Sequence, residues 1–93
     1  MKLLKFGAAW CGSCKTLAKK METARLGEII EVVDIDIEEQ GDVANDYGVR
    51  NLPTLILVTE GGEVICRWTG LNKDLVETVK EKINNLKLNG HEE

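Results

Sequence analysis

Apolar residues in this chain fall into short blocks whose spacing alternates between that of a strand and that of a helix. Four blocks are short and apolar, and those after the first contain several β-branched residues, which is typical of β-strands. These strands are predicted over residues 2–8, 29–37, 54–59 and 64–69. Between and after them, apolar residues recur three or four positions apart, which predicts helices over 11–26, over 42–47 and after Asn72.

Glycines and a capping residue mark the ends of these elements. Gly27 is expected to end the first helix and Gly48 the second, because glycine readily takes the left-handed conformation that closes a helix. Asn72 is expected to cap the last helix. The apolar stripe of that helix is Leu75, Val76, Val79, Ile83 and Leu86. The glycine pair at 61–62 predicts a hairpin turn between the last two strands.

The resulting element order is βαβαββα. Its opening strand–helix–strand unit predicts a parallel pair joined by a right-handed crossover, and its hairpin predicts an antiparallel pair. The expected fold is therefore α/β, with a mixed four-stranded sheet and helices on both faces. A chain of 93 residues is expected to form a single domain over 1–93, with a polar tail at 88–93 that frays.

The charge balance limits the partners. The net charge is -4 and the sequence pI is about 5.0, which argues against binding to nucleic acid or to an anionic membrane, since both need a basic face. No segment approaches the roughly 20 apolar residues of a membrane span. The first six residues are too short for a signal peptide, which has about 7–15 apolar residues after a basic start. We expect a cytoplasmic protein.

Three cysteines provide the candidate chemistry. Cys11 and Cys14 lie where the first strand gives way to the first helix, whereas Cys66 is distant. A helix N-terminus favours a thiolate, so the pKa of Cys11 is expected to fall below the roughly 8.5 of a free thiol, with Lys15 adding to the effect. Cys14, one turn further in, would then resolve a mixed disulfide. Small residues at 12 and 13 let the two sulfurs approach each other.

Other interpretations of the cysteines stay open. A Cys-x-x-Cys pair can be half of a zinc site, but a structural site needs four ligands, and here Cys66 and His91 alone remain. The pair could also be two inert buried cysteines. Cys66 is expected to be a packed small hydrophobe, with a regulatory thiol as the alternative. Trp68 is expected either to pack or to be exposed as a partner contact.

Three motifs, in order, resemble those of the thioredoxin family. Residues 10–15 (WCGSCK) resemble the active-site segment Trp-Cys-Gly-Pro-Cys-Lys of that family. Residues 47–54 (YGVRNLPT) resemble its second signature, which ends in a cis-proline. Residues 61–64 and Gly70 resemble the family's hairpin and the glycine beyond it. The resemblance extends over about 2–86, nearly the whole chain.

The resemblance implies a role for each matched residue. Cys11 is the nucleophile and Cys14 the resolving thiol. Pro53 would be cis and stand opposite Cys11, so that the backbone of Leu52 could pair with an extended substrate; an X-Pro bond is cis in only about 5–6% of cases, so propensity alone predicts trans. Gly70 would leave room for the partner backbone. The substrate-binding residues implied are Trp10, Gly12, Ser13, Leu52, Pro53 and Gly70.

The chain departs from the family pattern in several places. Ser13 replaces the proline between the cysteines, and the family's leading strand and helix have no counterpart before Lys2. Lys5 stands where the family has a buried aspartate, and Asp34 where it has a lysine on the next strand. We hypothesise that Lys5 and Asp34 lie together behind the active site and that Asp34 takes or relays the Cys14 proton. The alternative is that Lys5 reaches solvent and Asp34 is a surface charge.

The function expected from the resemblance is thiol–disulfide exchange by a monomeric enzyme. It would reduce protein disulfides with electrons from a thioredoxin-reductase-type donor, using no cofactor beyond the Cys11–Cys14 couple. Two alternatives stay open, a glutaredoxin-like enzyme that uses glutathione and a non-catalytic binding module on the same fold. The intact cysteine pair argues against the second alternative.

Overall fold

The computed structural model describes residues 1–88. Of the tail predicted at 88–93, Leu88 belongs to the last helix, and the rest lies outside the described residues. Within residues 1–88 the predicted order βαβαββα is confirmed. The strands are β1 Lys2–Gly7, β2 Glu31–Asp36, β3 Thr54–Val58 and β4 Val64–Thr69. The helices are α1 Gly12–Thr23, α2 Gly41–Asp46 and α3 Leu75–Leu88, with a short 3-10 turn at Leu26–Glu28.

The strands form a mixed four-stranded sheet in the order β2-β1-β3-β4. β1 pairs in parallel with β2, and the other two pairs are antiparallel. β3 lies in the interior of the sheet, and all five of its residues are buried, as its continuous apolar run predicts. The α/β fold class predicted from the sequence is confirmed.

The two faces of the sheet carry separate apolar clusters. On one face, which we call the α1/α3 face, Leu3, Leu55 and Leu57 pack against residues of α1 and α3. On the other, the α2 face, the sheet contributes Leu4, Phe6, Ile35, Ile56 and Val58 against α2. Successive residues of a strand point to opposite faces, so odd and even positions of β1 serve different clusters.

The end of α1 differs from the prediction. The helix stops at Thr23 rather than near Leu26, and Gly27 lies inside the 3-10 turn instead of closing the helix. Leu26 is fully buried, yet it is five residues beyond the buried Met21, which at 100° per residue puts it off the buried stripe of a continued helix. The chain therefore leaves the helix through Arg25, which has a left-handed φ of 56°.

Smaller differences occur at the other element ends. β2 begins at Glu31 rather than Ile29, because the N–H groups of Ile29 and Ile30 donate to the carbonyl of Leu26. Gly48, with a φ of 65°, follows α2 as predicted. The Asn72 side chain accepts the N–H of Asp74 at 3.0 Å, so it caps the turn that leads into α3.

Within residues 1–88, no helix is both long enough and apolar enough to span a membrane.

Candidate active site

The loop that follows β1 places Cys11 at the N-terminus of α1. Its backbone is extended, with φ −88° and ψ 107°, and its N–H donates to the carbonyl of Ala8 at 3.1 Å. Its Sγ accepts the N–H of Cys14 at 3.2 Å, so the sulfur itself caps the helix. The N–H groups at a helix start favour negative charge on such an acceptor. A lowered pKa of the Cys11 thiol stays a prediction.

Cys11 and Cys14 form a disulfide in the structure, with their Cα atoms 5.3 Å apart. Both are buried, at 7% and 5% exposure, so the difference predicted between an outer and an inner cysteine is small in this oxidised form. The hydroxyl of Ser13 lies 3.4 Å from the Cys11 sulfur. Proline has no side-chain donor, so this contact is specific to the serine. Gly12, between Cys11 and Ser13, is exposed and begins α1.

Gly7 is a site residue that the sequence analysis missed. A Cβ at Gly7 would lie 3.3 Å from the sulfur of Cys14 and 3.4 Å from its Cβ. The absence of a side chain at the end of β1 therefore lets Cys14 pack directly against the strand. The signal in the sequence was a glycine four residues before the first cysteine, and nothing local distinguished it from a strand-end glycine.

The peptide bond between Leu52 and Pro53 is cis, as the resemblance implied and as propensity did not. Pro53 directly precedes β3, whose first residue, Thr54, pairs with Phe6 of β1 and with Thr69 of β4. The register thus brings the end of β1, the cis-proline and the end of β4 to one edge of the sheet. Leu52 is half-buried and Pro53 is buried.

Gly70 directly follows β4 at this edge of the sheet. Its N–H donates to the carbonyl of Pro53 at 2.8 Å, and its φ of 84° lies in the left-handed region that favours glycine. A Cβ there would meet nothing within 4 Å, so the space predicted for a partner backbone is open. Trp10 directly precedes Cys11 in the chain and is 65% exposed. Contact of these residues with a substrate stays a prediction.

The predicted charge pair is present behind the cysteines. The Lys5 Nζ lies 3.0 Å from an Asp34 carboxylate oxygen, and the two residues are register partners in β1 and β2. The Lys5 side chain is 16% exposed and that of Asp34 76%, so burial affects mainly the cation. Both line a cavity of about 300 Å³ that Cys14 also lines. Transfer of the Cys14 proton through Asp34 stays a prediction.

The remaining candidates have structural surroundings. Cys66 is a free, half-buried thiol that packs against the core cluster on the α1/α3 face, and Trp68 packs against the same cluster. No group of three or more metal-ligating side chains occurs within residues 1–88. The alternative zinc ligand His91 lies outside the described part of the chain.

A cysteine pair at a helix N-terminus, a cis-proline on the same edge of the sheet and a four-stranded mixed sheet together define a thiol–disulfide exchange protein. The thioredoxin family model matches residues 1–85. Thioredoxin of Bacillus subtilis (strain 168) is 37% identical over 84 residues, which cover 88% of this chain and 78% of that protein. Protein disulfide-isomerase A3 of Gallus gallus is 41% identical over 63 residues, 66% of this chain and 12% of that protein.

A solved structure of a variant thioredoxin from Halobacterium salinarum NRC-1 superposes with a TM-score of 0.75 at 35% identity, covering 89% of this chain and 71% of that one. The chain belongs to the thioredoxin family. It is a thiol–disulfide oxidoreductase whose redox centre is the Cys11–Cys14 pair.

Proposed function

We propose that this protein works as a reductant of protein disulfides in the cytoplasm, as a monomer supplied with electrons by a thioredoxin-reductase-type donor. The observation that carries the proposal is the position of the Cys11 sulfur, which accepts the first-turn N–H of α1 at 3.2 Å. That geometry stabilises the thiolate, and the thiolate is the nucleophile of disulfide exchange. A compartment that keeps thiols reduced is where such a dithiol can be regenerated.

The reaction has two exchange steps. The Cys11 thiolate attacks one sulfur of the client disulfide, forming a mixed disulfide and releasing the other client sulfur as a thiolate. Cys14 gives its proton to water, and its thiolate then attacks the Cys11 sulfur and releases the second client sulfur. Both client thiolates take up protons from water. The client gains two electrons and two protons, and the Cys11–Cys14 pair is oxidised to the disulfide seen in the structure. A dithiol of the donor reverses that oxidation by the same chemistry.

The surface around the sulfurs suits an extended client segment. Trp10 is exposed beside Cys11, and the cis bond at Pro53 turns the backbone of Leu52 at the same edge of the sheet. We propose that Leu52 pairs with the client backbone, as the resemblance implies, and that Trp10 covers one side of it. Backbone pairing suits a protein with many clients, since main-chain hydrogen bonds do not depend on client side chains.

The redox midpoint of the Cys11–Cys14 pair tests the proposal. The protein is equilibrated with graded ratios of reduced and oxidised dithiol, and the free thiols are counted by alkylation. A midpoint near about −270 mV supports a general reductant. A midpoint near about −200 mV or above contradicts it and favours the glutathione-linked alternative or an isomerase-like role.

Activity assays with matched variants complete the test. The protein is expected to accelerate the reduction of a disulfide-bonded client by dithiothreitol, and Cys11→Ser should remove that acceleration. Cys66→Ala is the matched control, because it removes a free thiol that packs on the core away from the redox pair, and it should keep the full rate. A Cys11→Ser variant that still accelerates the reaction would contradict the proposal. If Cys11→Ser binds clients without reducing them, client binding is separate from catalysis.

A further inference from the structure

The resolving cysteine packs against the face of β1 that also carries a half-buried lysine. The Cys14 sulfur lies where a side chain of Gly7 would be, 3.3 Å from the position of the missing Cβ. Lys5 precedes Gly7 by two residues, so it projects from the same face about 7 Å along the strand. On this face of β1, Lys5 is therefore the residue next to Gly7, against which the Cys14 sulfur packs.

Lys5 and Cys14 line the same cavity, which is open to solvent. It has a volume of about 300 Å³, and Asp34 is also among its lining residues. The Lys5 side chain is only 16% exposed, so its ammonium is less hydrated than that of a lysine at the surface. Asp34 holds that ammonium at 3.0 Å from the outer side, where the carboxylate is 76% exposed.

Two further charged residues face the same cavity. Lys15 lines it from the first turn of α1 and is exposed to solvent. Asp36 lines it from the end of β2, and its carboxylate accepts the N–H of Glu38 at 2.8 Å. The exposed charge of Lys15 is screened by water. Lys5 is the cation that the fold keeps in place on the strand beneath Cys14.

We infer that Lys5 is a positioning residue for the second exchange step, in which its ammonium favours the thiolate form of Cys14, and that Asp34 weakens this effect by pairing with Lys5. Cys14 is 5% exposed, so its thiolate loses most of its hydration, and a nearby cation compensates for that loss. The thiolate attacks the Cys11 sulfur, and the client sulfur leaves. The inference rests on the proposed function in assigning this step to Cys14.

The sign of one substitution separates this inference from proton transfer through Asp34. A carboxylate that accepts the Cys14 proton speeds the reaction, so its removal slows it. A carboxylate that only offsets the charge of Lys5 disfavours the Cys14 thiolate, so its removal speeds the reaction. Asp34→Asn keeps the size of the side chain and removes its charge, which makes it the discriminating variant.

The experiment measures alkylation of Cys14 by iodoacetamide as a function of pH. A background of Cys11→Ser with Cys66→Ala leaves Cys14 as the single thiol and removes the charge of a Cys11 thiolate. Lys5→Met is expected to lower the alkylation rate near neutral pH about tenfold, and Lys5→Arg to keep it within about twofold. Asp34→Asn is expected to raise the rate about twofold to fivefold.

Matched controls come from the same two strands. Lys2→Met removes the same charge from the far end of β1, and Glu31→Gln removes an exposed charge from β2; both should leave the rate unchanged. Circular dichroism checks that each variant is folded, and if Lys5→Met does not fold, Lys5→Gln takes its place. If Cys14 is alkylated in the folded Lys5→Met or Lys5→Gln variant at the same rate as in Lys2→Met, the inference is overturned.

A slower Asp34→Asn variant also overturns the inference and favours proton transfer through Asp34. The readout involves neither client nor electron donor, so its failure is distinct from a failure of the proposed function. Conversely, a midpoint that contradicts general reduction of client disulfides leaves the alkylation result standing.

Discussion

Beyond Leu3, which is buried on the α1/α3 face, the two faces of β1 carry different kinds of side chains. Toward the α2 face, Leu4 and Phe6 are buried in a continuous apolar cluster. Toward the α1/α3 face, the same stretch has a lysine at position 5 and no side chain at Gly7, and a cavity opens beside Cys14. The comparison teaches that a single strand can stabilise the fold with one set of alternate residues and shape the redox site with the other.

Removing the largest fully buried side chain from the α2 face should have the largest effect on stability. Phe6 is fully buried, and Phe6→Ala is expected to lower the free energy of unfolding by about 3–5 kcal/mol through lost burial and a cavity. Urea denaturation measures the change. Val64→Ala is the control, since Val64 is 50% exposed and should change stability by less than about 0.5 kcal/mol. Equal losses in the two variants would contradict the assignment of Phe6 to the core.

Adding one methyl group at Gly7 tests how tightly the α1/α3 face holds the redox pair. Gly7→Ala places a Cβ 3.3 Å from the Cys14 sulfur, so we expect a loss of about 1–2 kcal/mol and slower disulfide exchange. Gly27→Ala is the matched control, because a Cβ there meets nothing within 4 Å. Chemical denaturation and turnover are measured on both variants. An unchanged rate of disulfide exchange in Gly7→Ala would show that Cys14 does not need its close packing against Gly7.

A hydrogen bond beside the α2 face should have a smaller effect. The hydroxyl of Tyr47 donates to the carbonyl of Gly62 at 2.8 Å, which ties the end of α2 to the turn between β3 and β4. Tyr47→Phe is expected to lower stability by about 0.5–1.5 kcal/mol with the exchange rate unchanged. Thermal unfolding and client reduction measured together check both parts. A slower exchange rate would mean that the α2 face is coupled to the redox site.

The smallest effect on stability is expected at Lys5, where the effect on reactivity is proposed to be large. Its ion pair with Asp34 is open to solvent on the carboxylate side, and such pairs contribute about 0–1 kcal/mol. Lys5→Met should therefore change the free energy of unfolding by less than about 1 kcal/mol. A urea titration at low and at high salt measures this change. A loss of several kcal/mol would place Lys5 among the residues that stabilise the fold.

Much of the fold follows from local patterns. The apolar stripe of Leu75, Val76, Val79, Ile83 and Leu86 predicted α3. The first four residues are buried, and Leu86 is half-buried against the same cluster. The end of α1 was predicted wrongly because the apolar Leu26 was counted into the helix. In the structure Leu26 is buried from a separate turn, since five residues beyond Met21 it cannot share the buried stripe of α1.

The site was predictable where the chemistry depends on neighbours in sequence. The spacing of Cys11 and Cys14 sets their approach, because three residues in one helical turn bring both side chains to the start of the helix. The pairing of Lys5 with Asp34 was predicted from the resemblance, because Lys5 replaces an aspartate of the family pattern and Asp34 replaces a lysine. The role of Gly7 was not predictable, because what matters there is the sulfur that packs against it.

By itself the sequence determined the order of elements, the α/β class and the place of the redox pair at a strand–helix junction, because hydrophobic periodicity and residue spacing act over a few positions. The tertiary structure decided the cis form of Pro53, which the resemblance implied but no local pattern did, together with the contact of Cys14 with Gly7 and the cavity around Lys5. Each of these depends on segments distant in sequence, whose relative positions are set by the pairing of β1 with β2 and β3.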